Sequence, residues 1–193
     1  MARPRSEDKR NAILDAAVAE FASHGVWTTP TSAISKAAGV AEGTLFTYFA
    51  SKEILVNELY RALKTELAEC MLADWPEEAD PKTKYRHIWD RYVDWGVDNP
   101  EKCKVVSQLK VSDQVSDESR TAGMAPLLKL ELLAEECIGN KLIRDQSLPF
   151  LGAMMCAMAE ATMVFVAQAR AKKERLKYRS AGFETFWQGI AVI

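Results

Sequence analysis

The sequence predicts an all-α fold of about nine helices, and three observations carry that prediction. No alternating apolar/polar run of strand length is bounded by turn residues, whereas apolar residues recur at helical spacing throughout. Cap-and-proline start signals and glycine stops punctuate the chain at helix-length intervals. With 48% hydrophobic and 27% charged residues in 193, the chain can bury a core and is neither disordered nor fibrous. There is no internal repeat of fixed period, which argues against a solenoid.

The elements follow in order. Ile13, Leu14, Ala17, Val18, Phe21 and Ala22 form one apolar stripe between Ser6 and His24. Ser6 is placed to cap that helix, Glu7 and Asp8 suit the positive end of its dipole, and Gly25 ends it. Thr29-Pro30 reads as the next start, with Thr29 as N-cap and Pro30 at the first helical position, where its missing N–H costs nothing. That short helix must stop at Gly39. A third opens at Ala41-Glu42 and ends near Phe49, and Ser51 caps a long fourth helix from Lys52 through Leu72. The stretch from Asp74 to Pro81 holds four acidic residues and two prolines and reads as a boundary. It divides the chain into an N-terminal domain of short helices (1–50), a connecting helix (51–74) and a C-terminal helical domain (75–193). Asp80-Pro81 and Asn99-Pro100 start helices of about 81–98 and 100–111. From Ser116 a helix should run to Cys137 or Ile138, with Pro126 placed to kink it and Gly139-Asn140 to stop it. An apolar helix follows from Ser147 to about Lys173. After the basic run Arg170, Lys172, Lys173, Arg175, Lys177 and Arg179 comes a short last helix holding Phe183, Phe186 and Trp187.

Several function classes drop out. A formal net charge of −2 excludes a wholly basic nucleic-acid coat, though not a local DNA-binding face. The four cysteines (70, 103, 137, 156) form no CxxC pair and the two histidines, His24 and His87, lie far apart, so reduced thiols in a cytoplasmic protein are expected, with no metal and no cofactor. The N-terminus lacks the apolar core of a signal peptide. Leu148 to Ala169 is long and apolar enough to cross a bilayer. Glu160 at its middle would be costly in lipid, and Gly152, Ala153, Ala157, Ala159 and Ala161 favour close helix contact, so a bundle helix and no membrane partner are expected. No nucleophile beside a base, no metal cluster and no phosphate loop is visible, so no enzyme is expected.

The informative stretch runs from Thr29 to Glu53. Ala37 and Ala38 allow close approach of two short helices, Gly39 supplies the turn and Val40 plugs the corner, an arrangement whose second helix can enter a DNA major groove. The full string resembles the DNA-binding domain of TetR/AcrR-type transcriptional regulators: Thr29, Ile34-Ser35, Ala38-Gly39-Val40, Gly43-Thr44-Leu45-Phe46-Thr47-Tyr48-Phe49 and Ser51-Lys52-Glu53-Ile54-Leu55. The match spans roughly residues 6 to 60; beyond it only length and helix order agree. Three positions depart from the family's usual pattern. Ser35 replaces alanine, Ala41 replaces the serine that caps the recognition helix, and Phe46 replaces a frequent tyrosine, losing a hydroxyl able to reach phosphate.

Residues 1–65 carry eight basic and seven acidic side chains, a weak field whose placement matters more than its size. Thr29, Ser32, Lys36, Tyr48 and Lys52 are expected to hold phosphates. Glu42, Gly43, Thr44 and Thr47 are expected to face base edges, with Glu42 accepting from a cytosine amine and a threonine methyl touching thymine. Arg3 and Arg5 suit a minor-groove arm. The plain alternatives are a solvated Lys52, a core Tyr48 and an arm that makes no contact.

One such module offers few contacts, and two-fold dimers reading a palindromic operator are the usual remedy. The resemblance assigns dimerisation to the last two long helices, and the apolar character of 147–173 supports it independently. Trp89, Tyr92 and Trp95 at three-residue spacing, with Phe150, Met155, Met158, Met163 and Phe165, are by spacing alone ordinary core. The resemblance implies an effector cavity there, for an apolar or aromatic ligand with Gln108, Glu160 or His87 as polar contacts. Glu160 has a second explanation, a pair at the dimer interface. The reading is a homodimeric, ligand-responsive repressor. Effector binding would shift the helix ending near Leu72 and so the separation of the recognition helices. The alternative is a DNA-binding structural or regulatory protein of the same fold with no inducer.

Overall fold

The computed structural model describes residues 6–192. Among them are ten α-helices, one 3-10 turn (Ala125–Leu127) and no strand. The helices are α1 (Glu7–His24), α2 (Thr31–Ala37), α3 (Glu42–Tyr48), α4 (Lys52–Leu72), α5 (Pro81–Asp98), α6 (Pro100–Lys110), α7 (Asp117–Met124), α8 (Leu128–Gly139), α9 (Leu148–Gln168) and α10 (Lys172–Ile190). The all-α expectation holds, with three boundary differences. The helix expected over 116–138 is two helices, because Pro126 lacks an N–H and sits in the 3-10 turn between them. The apolar helix ends at Gln168, where Ala169 turns extended (ψ 128°). From Lys172 onward the basic run is the first half of α10, a helix of 19 residues rather than a short one, and Arg175 Nε donates to the Ala169 carbonyl at 3.0 Å.

The chain forms two compact units that do not follow chain order. The first comprises the described residues up to Thr65 together with Pro100–Met124, and the second comprises Glu66–Asn99 and the residues from Ala125 onward.

In the first unit α1 packs on α2 and α6, and α2 on α3. Ile13, Ala17, Phe21, Ile34, Leu45, Phe49, Leu55 and Val56 are fully buried in it. Gly25 (φ 87°) and Gly39 (φ 66°) make the two turns that need a left-handed backbone, as their positions predict. Ser51 caps α4 by accepting from the Ile54 N–H at 3.2 Å. Asn57, 7% exposed, clamps the loop after α6. Its Nδ2 donates to the carbonyls of Glu53 (2.9 Å) and Gln114 (2.7 Å), and its Oδ1 accepts from the Ser116 N–H (2.9 Å). Arg120 donates to the carbonyls of Lys110 and Ser112 at 2.8 and 2.7 Å, satisfying groups that the end of α6 leaves open.

In the second unit α9 packs on α5 and α10, and α10 on α5. Asp80 caps α5 by accepting from the Thr83 N–H at 3.2 Å and from its hydroxyl, which holds the carboxyl below the usual carboxylate range. Trp89, fully buried, stacks on Phe186 (centroids 5.8 Å apart, planes at 18°) and donates its indole N–H to the Arg179 carbonyl at 3.1 Å. Two glycines permit the tight approach. A Cβ on Gly96 would lie 2.3 Å from Met163 Sδ, and one on Gly182 would lie 2.3 Å from Thr162 Oγ1 and 2.8 Å from the Trp89 ring. Lys82, Arg86, Asp90 and Asp94 recur every fourth residue along α5 and meet two opposite charges on α10. Glu184 takes Lys82 (2.8 Å) and Arg86 (3.8 Å), while Arg179 takes Asp90 (3.3 Å) and Asp94 (2.5 Å).

Helix α9 is buried on one side only. Leu151, Met155, Ala159, Thr162, Met163 and Val166 point inward, and most of its other residues are exposed. Phe150, Met154, Ala157, Ala161, Val164 and Phe165 line up at three- and four-residue steps on the opposite, exposed side.

Candidate nucleic-acid interface

The turn between α2 and α3 is built from few parts. Ile34 and Leu45, both fully buried, anchor the two helices to the core. Gly39 turns the chain, and the Val40 N–H returns to the Ser35 carbonyl at 3.0 Å. Ala41 occupies the N-cap of α3 and makes no side-chain cap, as its methyl dictates. What remains outward is a face made of Ser32 and Lys36 on α2 and of Glu42, Gly43, Phe46 and Thr47 on α3, all exposed.

The predicted contact residues sort differently once placed. Ser32 and Lys36 stand free at the surface. Thr29 does not, and its assignment to phosphate is corrected. It is 1% exposed, and its hydroxyl donates to the carbonyl of Gly25 at 2.8 Å, closing the open end of α1 instead of capping α2. Pro30 takes the N-cap position in its place. Glu42 is exposed, and its Oε1 accepts from the Thr31 hydroxyl at 2.9 Å across the turn. A Cβ on Gly43 would meet nothing within 4 Å, so no packing inside the protein requires glycine there. Thr44 is half-buried, and the Thr47 hydroxyl donates back to the Gly43 carbonyl at 2.9 Å. Tyr48 is half-buried, and its hydroxyl accepts the Ser6 N–H at 2.9 Å, which fixes the entry to α1 and retains a hydroxyl proton to donate. Lys52 is half-buried, donates to the Trp27 carbonyl at 3.3 Å and lies 5.8 Å from the centre of the Phe21 ring. Burial pulls its pKa down from the ordinary lysine value. Arg3 and Arg5 lie outside the described residues.

Three features escaped the sequence reading. Thr31 orients Glu42; Trp27, 57% exposed, stands beside the lysine contact; and Phe46 is 42% exposed on a helix whose Leu45 is fully buried. Only the last had a local signal, since Phe46 falls on the i, i+4 face of Glu42. Arg10 pairs with Glu58 at 2.5 Å.

The predicted effector residues fall in both units. Trp89, Tyr92, Trp95, Met155, Met158 and Met163 belong to the second, whereas Gln108 belongs to the first, where its Oε1 accepts from the Val26 N–H at 3.3 Å. Tyr92 donates to Glu160 Oε1 at 3.3 Å and Trp95 to Glu66 Oε1 at 3.1 Å, so Glu160 has a partner inside its own unit. His87 Nε2 lies 2.9 Å from the Ala73 carbonyl. Phe165 sits on the exposed side of α9, against Tyr178 at 5.5 Å between centroids. Tyr85, four residues before Trp89 on the same stripe, is 4% exposed, and its hydroxyl finds no hydrogen-bond partner among the described residues. Burial pushes its pKa far up.

Comparison with known proteins gives a consistent result. Residues 13–59 match the model of the family described as bacterial regulatory proteins, tetR family. A fatty acid metabolism regulator protein of Bacillus subtilis is 39% identical over 72 residues, a match that covers 37% of either chain. Among solved structures, a Shewanella sp. PV-4 chain described as a tetR family transcription regulator is 27% identical, with a TM-score of 0.86 over 98% of this chain and 100% of its own. The transcriptional regulator FadR of Bacillus subtilis, solved in complex with stearoyl-CoA, shares the fold at 22% identity, with a TM-score of 0.72 over 94% of this chain and 99% of its own.

Proposed function

Because the chain belongs to the TetR family of DNA-binding transcription regulators, we propose that it acts as a homodimeric, cytoplasmic repressor, released from a palindromic operator by a small apolar effector. The observation that carries the reading is the outer face of α2 and α3. Its exposed residues do little structural work, and Gly43 leaves open space where the backbone can approach a ligand closely. Ser32, Lys36, Tyr48 and Lys52 hold phosphates in this reading, and Glu42, Gly43, Thr44 and Thr47 meet base edges. The second copy covers the exposed stripe of α9 from Phe150 to Phe165, an apolar face that water would otherwise wet.

The effector enters the second unit, where Trp89, Tyr92, Trp95, Met155, Met158 and Met163 supply an apolar lining and the Tyr85 hydroxyl awaits a polar atom. A long acyl chain fits that chemistry, in keeping with the similarity to a fatty acid metabolism regulator. The effector releases DNA only as far as it prefers the non-binding conformer, and a hundredfold release needs a preference of about 3 kcal/mol. A second reading, the same regulator with no inducer, draws support from the indole and hydroxyl groups of Trp89, Tyr92 and Trp95, which already have partners within the protein.

Selection of the protein on a random double-stranded DNA library at two salt concentrations tests the reading. A palindrome bound with steeply salt-dependent affinity supports it, and a folded protein that enriches no motif removes it. Acyl and aromatic compounds then separate the two versions. Release of the selected DNA marks an inducer, and unchanged affinity across the panel favours the version without one.

A further inference from the structure

The composition of α3 limits which bases it can read. Its seven residues, Glu42 to Tyr48, include no Lys or Arg, whose donors recognise guanine in the major groove, and no Asn or Gln, whose amide donor and acceptor together recognise adenine. Thr47 turns its hydroxyl back to the Gly43 carbonyl, which leaves its methyl as the outward group. Phe46 exposes 42% of its surface although Leu45 before it and Phe49 after it are fully buried, so a large part of the ring faces water. The side chains at 42, 43, 46 and 47 share one helical face, and that face offers a carboxylate, open space, an aromatic ring and a methyl group. In the major groove only thymine presents a methyl, and only cytosine and adenine present amino groups to a carboxylate.

We propose that α3 reads its half-site mainly through thymine methyl groups, with Phe46 as the principal contact and the Thr47 methyl beside it, while guanine goes unread by this helix. The inference rests on α3 being the recognition helix and names what that helix recognises. Phe46 is thus a specificity-determining residue, and its exposed ring is covered only when DNA is bound.

The test uses the operator recovered by selection, with each thymine replaced in turn by uracil, which removes one methyl and leaves the pairing intact. At one or two positions per half-site the full-length protein should bind roughly fourfold more weakly, the effect of uncovering one methyl-sized group. Phe46→Ala should lose the thymine preference at the position its ring covers, keeping at most the part owed to Thr47, and Phe46→Leu should keep part of the difference there. The proposal is overturned if no replacement changes affinity, or if Phe46→Ala shows the same thymine preference as the native protein. If selection enriches no operator at all, the recognition-helix reading itself has failed, an outcome distinct from an operator that is bound without regard to its methyls.

Discussion

Gly182 offers the sharpest test of the packing in the second unit. In an exposed helix interior, replacing glycine with alanine stabilises by about 0.5–1 kcal/mol. At Gly182 the added Cβ would lie 2.8 Å from the Trp89 ring, inside the ~3.5 Å at which carbon atoms normally touch, and 2.3 Å from Thr162 Oγ1. Neither neighbour can retreat easily. Trp89 is stacked on Phe186 and held by its indole N–H, and the Thr162 hydroxyl donates to the Met158 carbonyl at 2.8 Å. Overpacking of this kind costs about 1–3 kcal/mol and outweighs the gain in helix propensity. Gly182→Ala should therefore lower the melting temperature, by up to roughly 8 °C for a chain of this size once that gain is subtracted. Gly189→Ala is the control, because on the same helix its Cβ would meet nothing within 4 Å, and it should be neutral or slightly stabilising. Circular dichroism during heating and tryptophan fluorescence in urea both report the difference. If Gly182→Ala melts at or above the native temperature, as Gly189→Ala should, the close contact of α10 with α5 and α9 is wrong.

Other substitutions probe the remaining parts. Gly43→Ala should leave the melting curve unchanged or slightly raised but weaken operator binding at least tenfold, since the space it fills faces outward; equal DNA affinity in a gel-shift titration would place α3 away from the groove. Asn57→Ala strands the Gln114 carbonyl and the Ser116 N–H and should cost about 2–4 kcal/mol in urea unfolding, while a loss below about 0.5 kcal/mol would show that the clamp is not needed. Burial raises the pKa of Asp90 above its ordinary value, with Arg179 and Arg86 opposing. Folding therefore favours its protonated form more than the unfolded chain does, so its contribution is greatest below the unfolded pKa and is lost as pH rises through the folded value. Asp90→Asn should thus be at least as stable as the native protein at neutral pH, with the difference closing below pH ~4; destabilisation at neutral pH alone would reverse the assignment. Ala157→Arg, at the middle of the exposed α9 stripe, should fold normally yet sediment as a monomer and lose operator binding.

The parts that were legible in the sequence are those set by neighbours along the chain. Gly25 and Gly39 marked left-handed turns, Ser51 and Asp80 marked caps, and the i, i+4 stripe of α1 marked its buried face. Thr29 shows where local signals fail. A threonine before proline serves equally as the cap of the next helix or as a donor to the end of the previous one, and only the placement of α1 decides. The pairings of Glu42 with Thr31, Tyr48 with Ser6 and Asn57 with 114–116 join residues 11 to 59 positions apart, beyond any periodicity. The first half of α10 was missed as helix because its lysines and arginines carry no apolar period, although their helix propensity is good. The grouping of 100–124 with the first helices likewise depends on distant contacts such as Val26 with Gln108.

The charges along α5 and α10 bear on which alignment the two helices adopt more than on how tightly they hold. Positive side chains (82, 86) occupy the first half of the α5 stripe and negative ones (90, 94) the second, and the two facing charges on α10 are matched to those halves. If α10 slid in one direction, Arg179 would come against Arg86. If it slid in the other, Glu184 would come against Asp90. The partly exposed pairs add little attraction each, but every misaligned docking confronts like charges beside the Trp89 and Phe183 rings, where water screens poorly. Because α9 packs on both helices, a fixed alignment also fixes which side of α9 stays outward. A folding chain is thereby steered away from near-miss packings that would be equally greasy, and the face it turns to its surroundings is the same in every molecule.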